Sequence, residues 1–484
     1  MLPSISVRIA SELSVRPAQV QSAINLLDEG STVPFIARYR KEATDSLDDT
    51  QLRHLDERLL YLRELEDRRK SVLETIKGQG KLTPSLQQSI EQAETKQRLE
   101  DLYLPFKVKR RTKAQIAIEA GLEPLAVSLF ADPNKQPEAE AKAFLREAFS
   151  TAAGDNPGVA DIKAALEGAT FILMERFAED ADLIAQLRAQ QWAGALIVSK
   201  VVEANAEKGV KFRDYFDYSE QIRKIPPHRA LALFRGRTED VVRISLKLPE
   251  EVEASWSLAL GAQEGCIATH FGWSNQSRPG DEFIANVVRL TWRGKLSMSI
   301  ETQLFTELRA TAEAEAIRVF ARNLRDLLLA APAGTKHTMG LDPGIRTGVK
   351  VAVVDGTGKL LDTATIYPFA PKNDTKGSLA TLSALAKKND VSLVAIGNGT
   401  ASRETDSLMI TLKKEMPGLG LHSIIVSEAG ASVYSASALA AKEFPELDVS
   451  LRGAVSIARR LQDPLAELVK IEPKSIGVGQ YQHD

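Results

Sequence analysis

The feature that most constrains this 484-residue chain is an acidic residue placed between two apolar runs. One run at 336–342 ends in Asp342, a Pro-Gly turn follows, and a second run resumes at 349–355. A Gly-Thr-Gly turn then leads into a third run at 359–367. Apolar runs separated by tight turns are typical of antiparallel strands. The segment is therefore predicted to form a three-stranded meander with a carboxylate at the tip of its first strand.

Two more strands and several helices are predicted after this meander. Strands are expected at 391–396 and 423–426, and helical stretches at about 375–389, 403–414, 432–444 and 452–470. The order β-β-β-α-β-α-β-α fits an RNase H-like sheet better than a Rossmann sheet. The predicted fold class is multidomain: a mostly α-helical amino-terminal region followed by an α/β RNase H-like domain.

Helical periodicity dominates the first 330 residues. Apolar residues recur on one face of Pro17 to Asp28, and a long charged helix is predicted from about 46 to 76. A second long helix stops at an Ala-Pro-Ala-Gly segment that begins at Ala331, the clearest predicted domain boundary. Four regions are predicted: a helical region at 1–75, a helical and mixed region at 76–332, the RNase H-like domain at 333–470, and the start of a further region at 471–484.

Three acids are candidates for metal binding or catalysis in the predicted domain. Asp342, Glu428 and Asp463 could converge on a Mg²⁺ or Mn²⁺ ion, with Asp342 and Glu428 as the core of the metal site. The fourth strand, however, ends in Asn398, a neutral amide at a position where nucleases of this fold often carry an acid. Asp342 could instead cap its own turn, and the Asp463-Pro pair favours a helix N-cap. Both interpretations remain open for Asp342 and Glu428.

Composition narrows the function classes. The formal net charge of −2 gives no global attraction to nucleic acid, so phosphate binding would need local basic patches. The single cysteine, Cys266, excludes an intrachain disulfide framework and fits a reducing compartment. No apolar run is long enough to span a membrane, and the amino terminus lacks a signal-peptide pattern. We expect a cytoplasmic protein with no membrane partner and no required cofactor.

Basic residues suggest where nucleic acid could bind. The densest cluster comprises Lys107, Lys109, Arg110, Arg111 and Lys113. These side chains could neutralise phosphates, or could form ion pairs with acidic helices.

Two further basic sites are candidates. The segment 34–41 interleaves Arg38, Arg40 and Lys41 with aromatic residues, which suits base stacking, although burial of its apolar residues in the core is the favoured alternative. Arg346 could clamp a phosphate near Asp342 or pair with an acid.

With these residues in view, the chain resembles the Tex family of bacterial transcription accessory proteins. The similarity rests on long stretches spread over the chain: 32–44, 100–107, 225–236, 341–348, 397–404 and 427–435. The resemblance implies a helix-turn-helix element in the 1–75 region and a YqgF-type RNase H-like domain at 333–470. It also implies that 471–484 begins a helix-hairpin-helix region, and that this chain is the amino-terminal portion of a longer protein with an OB-fold RNA-binding domain.

The leading hypothesis is a non-catalytic scaffold that binds RNA, with DNA as a second candidate, and acts in transcription. The resemblance supports it, since Tex-like proteins are viewed as binders without demonstrated cleavage. The rival is a metal-dependent nuclease that uses Asp342, Glu428 and Asp463 with Mg²⁺ or Mn²⁺. A third possibility is a platform for the transcription machinery, with the long helices as docking surfaces. Fold resemblance alone does not decide among them.

Overall fold

A computed structural model describes residues 2–108, 110–253 and 260–477 of the chain. Its helices are α1 (Ile5–Leu13), α2 (Pro17–Asp28), α3 (Val33–Tyr39), α4 (Asp49–Gly78), α5 (Pro84–Glu91), α6 (Lys96–Tyr103), α7 (Lys113–Glu119), α8 (Glu123–Ala131), α9 (Pro137–Ala141), α10 (Ile162–Ala178), α11 (Ala181–Gly194), α12 (Pro227–Thr238), α13 (Pro249–Glu253), α14 (Ala262–His270), α15 (Asp281–Thr291), α16 (Ser297–Leu328), α17 (Thr375–Lys388), α18 (Ser402–Glu415), α19 (Ala431–Ser435), α20 (Ala438–Glu443), α21 (Val449–Gln462), α22 (Pro464–Leu468) and α23 (Pro473–Ile476).

The strands are β1 (Phe149–Thr151), β2 (Gly154–Asn156), β3 (Leu196–Val201), β4 (Asp217–Gln221), β5 (Val242–Lys247), β6 (Thr338–Asp342), β7 (Val349–Val354), β8 (Leu360–Ile366), β9 (Leu393–Gly397) and β10 (His422–Val426). The chain divides into two compact units, one formed by Met1–Lys224 with Asp240–Glu307 and the other by Ile225–Glu239 with Leu308–Asp484. Among the described residues, no single helix is long and apolar enough to cross a membrane, although the pair α7 and α8, bent by 101°, passes that test when taken together.

The first unit has a helical core built around α4. Asp48 caps this helix by accepting a hydrogen bond from the backbone N–H of Gln51 at 2.7 Å, and the backbone N–H of Asp48 donates to Gln51 Oε1 at 3.0 Å. Five leucines at spacings of three and four are buried along α4: Leu52, Leu55, Leu59, Leu62 and Leu65. Helices α1, α2, α3, α5 and α6 pack around it. Pattern and structure agree here because one apolar face decides the fold of an amphipathic helix.

Two small antiparallel sheets also belong to the first unit. Strands β1 and β2 form a hairpin, and β3 lies between β4 and β5 in a three-stranded sheet. Of these strands, only β5 has the alternation of apolar and polar residues that predicts a strand. β1 and β2 have three residues each, too short for an alternating pattern, and β3 follows directly on the apolar pattern of α11.

The second unit confirms the predicted fold class. Its sheet has the order β10-β9-β6-β7-β8, with antiparallel pairs within the meander and parallel pairs joining β6, β9 and β10. Numbered within this unit, the order is 5-4-1-2-3. One face packs against α17 and α18 and the other against α21, so both faces are covered. This strand order is that of an RNase H-like architecture.

Two predicted helical stretches of this unit are interrupted. The stretch expected at 432–444 is divided into α19 and α20, and the one at 452–470 into α21 and α22. The second break has a clear cause, because Pro464 cannot donate a backbone hydrogen bond to α21 and begins a new helix instead. Within the predicted region 471–484, α23 is described, and residues 478–484 lie outside the described residues.

Candidate functional site

Three strands of the second unit deliver polar side chains to one edge of the sheet. Strand β6 ends in Asp342, β9 is followed by Asn398, and β10 is followed by Ser427 and Glu428. Because the carboxyl ends of parallel strands share an edge, these residues lie in one region. Asn398 joins the two loops there, since its side-chain Oδ1 accepts a hydrogen bond from the backbone N–H of Glu428 at 3.0 Å. We call this edge, with Asp342, Asn398 and Glu428, the strand-tip site.

The carboxylate of Asp342 is partly buried and accepts no hydrogen bond from any side chain or backbone group that the structure describes. Burial raises the pKa of its carboxyl group to about 6, the negative charge of Glu428 adds to the rise, and Lys350 opposes it. Lys350 lies opposite Asp342 on β7, and its Nζ donates to the backbone oxygens of Thr347 and Gly348. The α21 backbone also comes close, because a Cβ added at Gly453 would lie 2.7 Å from Asp342 Oδ2.

Glu428 lies against the loop that follows β9. A side chain at Gly399 would overlap its carboxylate, so the glycine is needed for this close approach. Glu428 Oε2 is buried and has no hydrogen-bond partner among the described residues. The strand-tip site therefore holds two neighbouring carboxylates with few donors, an arrangement that favours a proton or a cation.

Arg460, on α21, supports the loop that carries Glu428. Its Nη1 donates to the backbone oxygens of Ser427 and Ala429, both at 2.7 Å. The side chain is 3% exposed, and its Nε and Nη2 have no partner among the described residues. Burial lowers the pKa of this guanidinium, while the charges of Glu467 and Glu428 act in the opposite direction. Sequence reasoning missed Arg460, because an arginine on the apolar face of an amphipathic helix looks like an interruption of that face.

An open cleft of about 820 Å³ borders the strand-tip site within the second unit. Its lining is mostly polar: Asn323, Asp326, Leu327, Ala330, Asn398, Ser427, Glu428, Ala429, Gly430, Ser432, Ser475, Ile476 and Gly477. The two ionisable residues among them, Asp326 and Glu428, are both acidic. These lining residues therefore offer no positive charge to attract a phosphate.

The structure separates Asp463 from the other two candidate acids. Asp463 is exposed and is the N-cap of α22, where its carboxylate accepts a hydrogen bond from the backbone N–H of Ala466 at 3.1 Å. Among the described residues, no group of three or more His, Cys, Asp or Glu side chains is arranged to hold a metal ion. Arg346 is exposed and pairs with neither Asp342 nor Glu428.

In the basic run at 107–113, two of the described cations have carboxylate partners. Lys107 Nζ lies 2.6 Å from Glu100 Oε2. Arg111 pairs with Glu119, which holds the pKa of that carboxyl below its ordinary value, and also donates to the backbone oxygen of Asp155 at 2.9 Å.

The other cations of the run differ. Lys113 Nζ lies 4.9 Å from the centre of the Phe171 ring. Arg110 is exposed and forms no ion pair with a residue that the structure describes, and Lys109 lies outside the described residues. The ion-pair alternative therefore accounts for half of the described cations in this run.

The segment around α3 differs from this run, because it exposes aromatic as well as basic side chains. Val33 and Ile36 are buried, whereas Phe35 and Tyr39 are 40% and 57% exposed. Arg38, Arg40 and Lys41 are all exposed. The expectation that the apolar residues of 34–41 enter the core is thus right for Ile36 and wrong for Phe35, because a single short helix turns only one face inward.

The fold and these sites define a multidomain, largely helical protein with an RNase H-like domain, and three family models agree with that class. The matches are the Tex-like protein N-terminal domain at residues 3–77, the Tex central region-like model at 132–320 and the Tex protein YqgF-like domain at 336–462. The chain belongs to the Tex family. The boundaries predicted at 75, 332 and 470 remain a proposal for its domain division.

Curated relatives resemble the chain along almost its whole length. Protein YhgF of Escherichia coli is 58% identical over 476 residues, covering 98% of this chain and 60% of that protein. Transcriptional accessory protein Tex of Neisseria gonorrhoeae is 57% identical over 477 residues, covering 98% of this chain and 60% of that protein. Human S1 RNA-binding domain-containing protein 1 is 34% identical over 492 residues, covering 99% of this chain and 47% of that protein. The chain thus spans about 60% of the length of the bacterial relatives it matches.

Proposed function

We propose that this chain is a nucleic-acid-binding, non-catalytic scaffold that acts in transcription in the cytoplasm, with RNA as its main ligand and DNA as a second candidate. The names of two relatives support this proposal: one is called a transcriptional accessory protein and another contains an S1 RNA-binding domain. Components of the transcription machinery are the proposed protein partners.

The observation that carries the non-catalytic part is the composition of the strand-tip site. Cleavage by two metal ions needs several carboxylates to hold cations whose hydration shells are costly to remove. Asn398 contributes an amide where a third acid would be needed, and its oxygen already accepts a hydrogen bond from the backbone of Glu428. Asp463 caps a helix. Two carboxylates are a weak metal site for phosphodiester cleavage.

The binding part rests on exposed cations without carboxylate partners. Arg38, Arg40, Lys41, Arg110 and Arg346 are all exposed, and none forms an ion pair with a described residue. Guanidinium and ammonium groups in this state can contact phosphates without first losing an ion pair. We therefore expect affinity to come from local basic surfaces on a chain with a net charge of −2.

The test is binding of the purified chain to labelled single-stranded RNA and to duplex DNA over a salt series. Affinity that falls linearly with log salt concentration would support phosphate contacts. An Arg111→Gln variant is a suitable control, because Arg111 is already paired with Glu119 and should contribute little to the salt slope. Absence of binding at low salt to either ligand would contradict the proposal.

One observation favours a metal-dependent nuclease as the second candidate. Burial and, to a lesser extent, the charge of Glu428 raise the pKa of Asp342 to about 6, and raised pKa values of carboxyl groups are common in active sites. Cutting of RNA, DNA or branched substrates in Mn²⁺ or Mg²⁺ that disappears in Asp342→Asn and persists in Asp463→Asn would establish this alternative. No cutting of any of these substrates would remove it.

A further inference from the structure

Helix α3 presents a cationic aromatic surface that the first unit does not use for its own packing. Thr32 caps the helix, and Pro34 occupies its first turn. Phe35 and Tyr39, four residues apart, lie next to each other on the outer face, with ring centres 5.4 Å apart and planes inclined by 47°. Large aromatic side chains exposed at 40% and 57% are unusual on a surface that serves only solvation.

Two cations of this surface lie over the rings rather than beside carboxylates. The Arg38 guanidinium is 5.6 Å from the centre of the Tyr39 ring, and that of Arg40 is 5.8 Å from the centre of the Phe35 ring. We name Phe35, Arg38, Tyr39, Arg40 and Lys41 the α3 patch. Its three cations form no ion pair with any residue in the described ranges.

Other arginines of the first unit form ion pairs with carboxylates. Arg58 pairs with Glu12 at 2.6 Å, and Arg63 pairs with Asp28 at 2.7 Å through two bonds. Near the α3 patch, Asp45 is already paired with Arg16. Glu42, which follows the patch directly, is exposed and offsets one of its three positive charges. The patch therefore keeps a positive charge next to two accessible rings.

We propose that the α3 patch binds single-stranded RNA, with bases stacking on Phe35 and Tyr39 and phosphates contacting Arg38, Arg40 and Lys41. This inference rests on the proposed nucleic-acid-binding function and assigns a site and a strand state to it. Stacking needs bases whose faces are free, which a single strand offers and a duplex does not. An acidic protein partner would satisfy the cations but would give no role to the two exposed rings.

The first experiment measures the affinity of the whole chain for a labelled oligouridylate, alone and paired with oligoadenylate. Phe35→Ala and Tyr39→Ala should each weaken binding to the single strand about fivefold or more, since each removes a surface on which a base stacks. Leu60→Ala is the matched control, because Leu60 is a large apolar side chain of the same unit with 62% exposure and no cation over it. Tyr39→Phe keeps the ring and should retain affinity.

The second experiment separates phosphate contact from stacking. Replacing Arg38, Arg40 and Lys41 by Gln together should reduce the slope of log affinity against log salt by about 2, from ~0.7 per phosphate contact on a single strand. The two ring variants should leave that slope unchanged while lowering affinity at every salt concentration. Melting temperatures of all variants are measured in parallel, and photocrosslinking of 4-thiouridine RNA to the unsubstituted chain should label the peptide that contains residues 35–41.

The outcomes distinguish this inference from the proposed function. If the chain binds the single strand and neither the ring nor the charge variants change binding, the α3 assignment is overturned and the binding surface lies elsewhere. If the patch variants lose a protein partner but keep RNA affinity, the patch is a protein-docking surface and the assignment is again wrong. If the unsubstituted chain binds neither RNA nor DNA at low salt, the proposed function and this inference both fail, whereas binding to DNA alone overturns only this inference.

Discussion

Two aspartates next to Pro-Gly turns, one in each unit, have opposite electrostatic properties. Asp281 is 2% exposed, and Asp342 is less deeply buried. Burial alone would raise the pKa of Asp281, yet hydrogen bonds from Arg278, Gln276 and Trp273 hold it well below its ordinary value. Burial raises the pKa of Asp342 to about 6 because no comparable donors surround it. The number of donors, more than depth, decides whether a buried carboxylate is ionised.

The local sequences explain part of this difference. In the first unit, Arg278 precedes the turn and reaches Asp281 with its side chain and its backbone N–H. In the second, Arg346 follows the turn and remains exposed without contacting Asp342. A carboxylate that accepts several hydrogen bonds stabilises the fold, whereas one without donors can bind a ligand or a proton.

The largest expected effect comes from removing the satisfied carboxylate. Asp281→Ala should lower the free energy of unfolding by about 3–5 kcal/mol at pH 7, because two backbone N–H groups, the Trp273 indole and a guanidinium lose their common acceptor. Denaturant titration measures the loss. Glu282→Ala, at the adjacent exposed position, is the control and should cost no more than about 0.5 kcal/mol. A loss for Asp281→Ala as small as that of the control would mean that these hydrogen bonds do not stabilise the fold.

Replacement of Asp342, in contrast, is expected to raise the free energy of unfolding. Because its folded pKa of about 6 lies above the ordinary 3.8, the folded state binds its proton more tightly. Its stabilising contribution is therefore complete below pH 4 and is lost as the pH rises through 6. Asp342→Asn should raise the free energy of unfolding by about 2–3 kcal/mol at pH 8 and by roughly half as much at pH 5. Thermal melts of both proteins at the two pH values test this, and destabilisation at pH 8 would show that the carboxylate has donors after all.

A smaller effect is expected from Glu428→Gln, which should show how much burial and how much charge repulsion raise the pKa of Asp342. Glu428→Gln removes the second contribution and leaves burial, so it should lower the pKa of Asp342 without returning it to 3.8. The titration of the Asp342 carboxyl carbon by NMR in selectively labelled protein gives the value directly. Glu404→Gln, an exposed acid of the same unit, is the control and should leave the titration unchanged. A full return to 3.8 in Glu428→Gln would assign the shift to charge repulsion rather than burial.

The sequence predicted the fold of the second unit well for a physical reason. Short apolar strands with Pro-Gly and Gly-Thr-Gly turns leave few arrangements, and parallel strands necessarily bring Asp342, Asn398 and Glu428 to one edge. The predicted helix-turn-helix element and the nucleic-acid-binding roles remain predictions.

The features that could not be predicted from the sequence depend on contacts between distant segments. Arg460 supports the Glu428 loop from 33 residues away in sequence, and no local pattern reports such a bond. The donors of Asp281 are closer, but their directions depend on the loop conformation. The exposure of Phe35 could have been found: Val33 and Ile36 lie on one helical face, and Phe35 and Tyr39 on another.

The smallest expected effect concerns a third aspartate, Asp463. Its variants distinguish a helix-capping role from a catalytic role. As the N-cap of α22, it accepts one backbone hydrogen bond at 3.1 Å in an exposed position. Asp463→Ala should therefore lower the free energy of unfolding by about 1 kcal/mol, and Asp463→Ser should recover most of that loss because serine also caps helices. Denaturant titration of the two variants measures the difference. An equal loss in both variants would contradict the cap assignment, and a loss of metal-dependent cutting in Asp463→Ser would return this residue to the catalytic set.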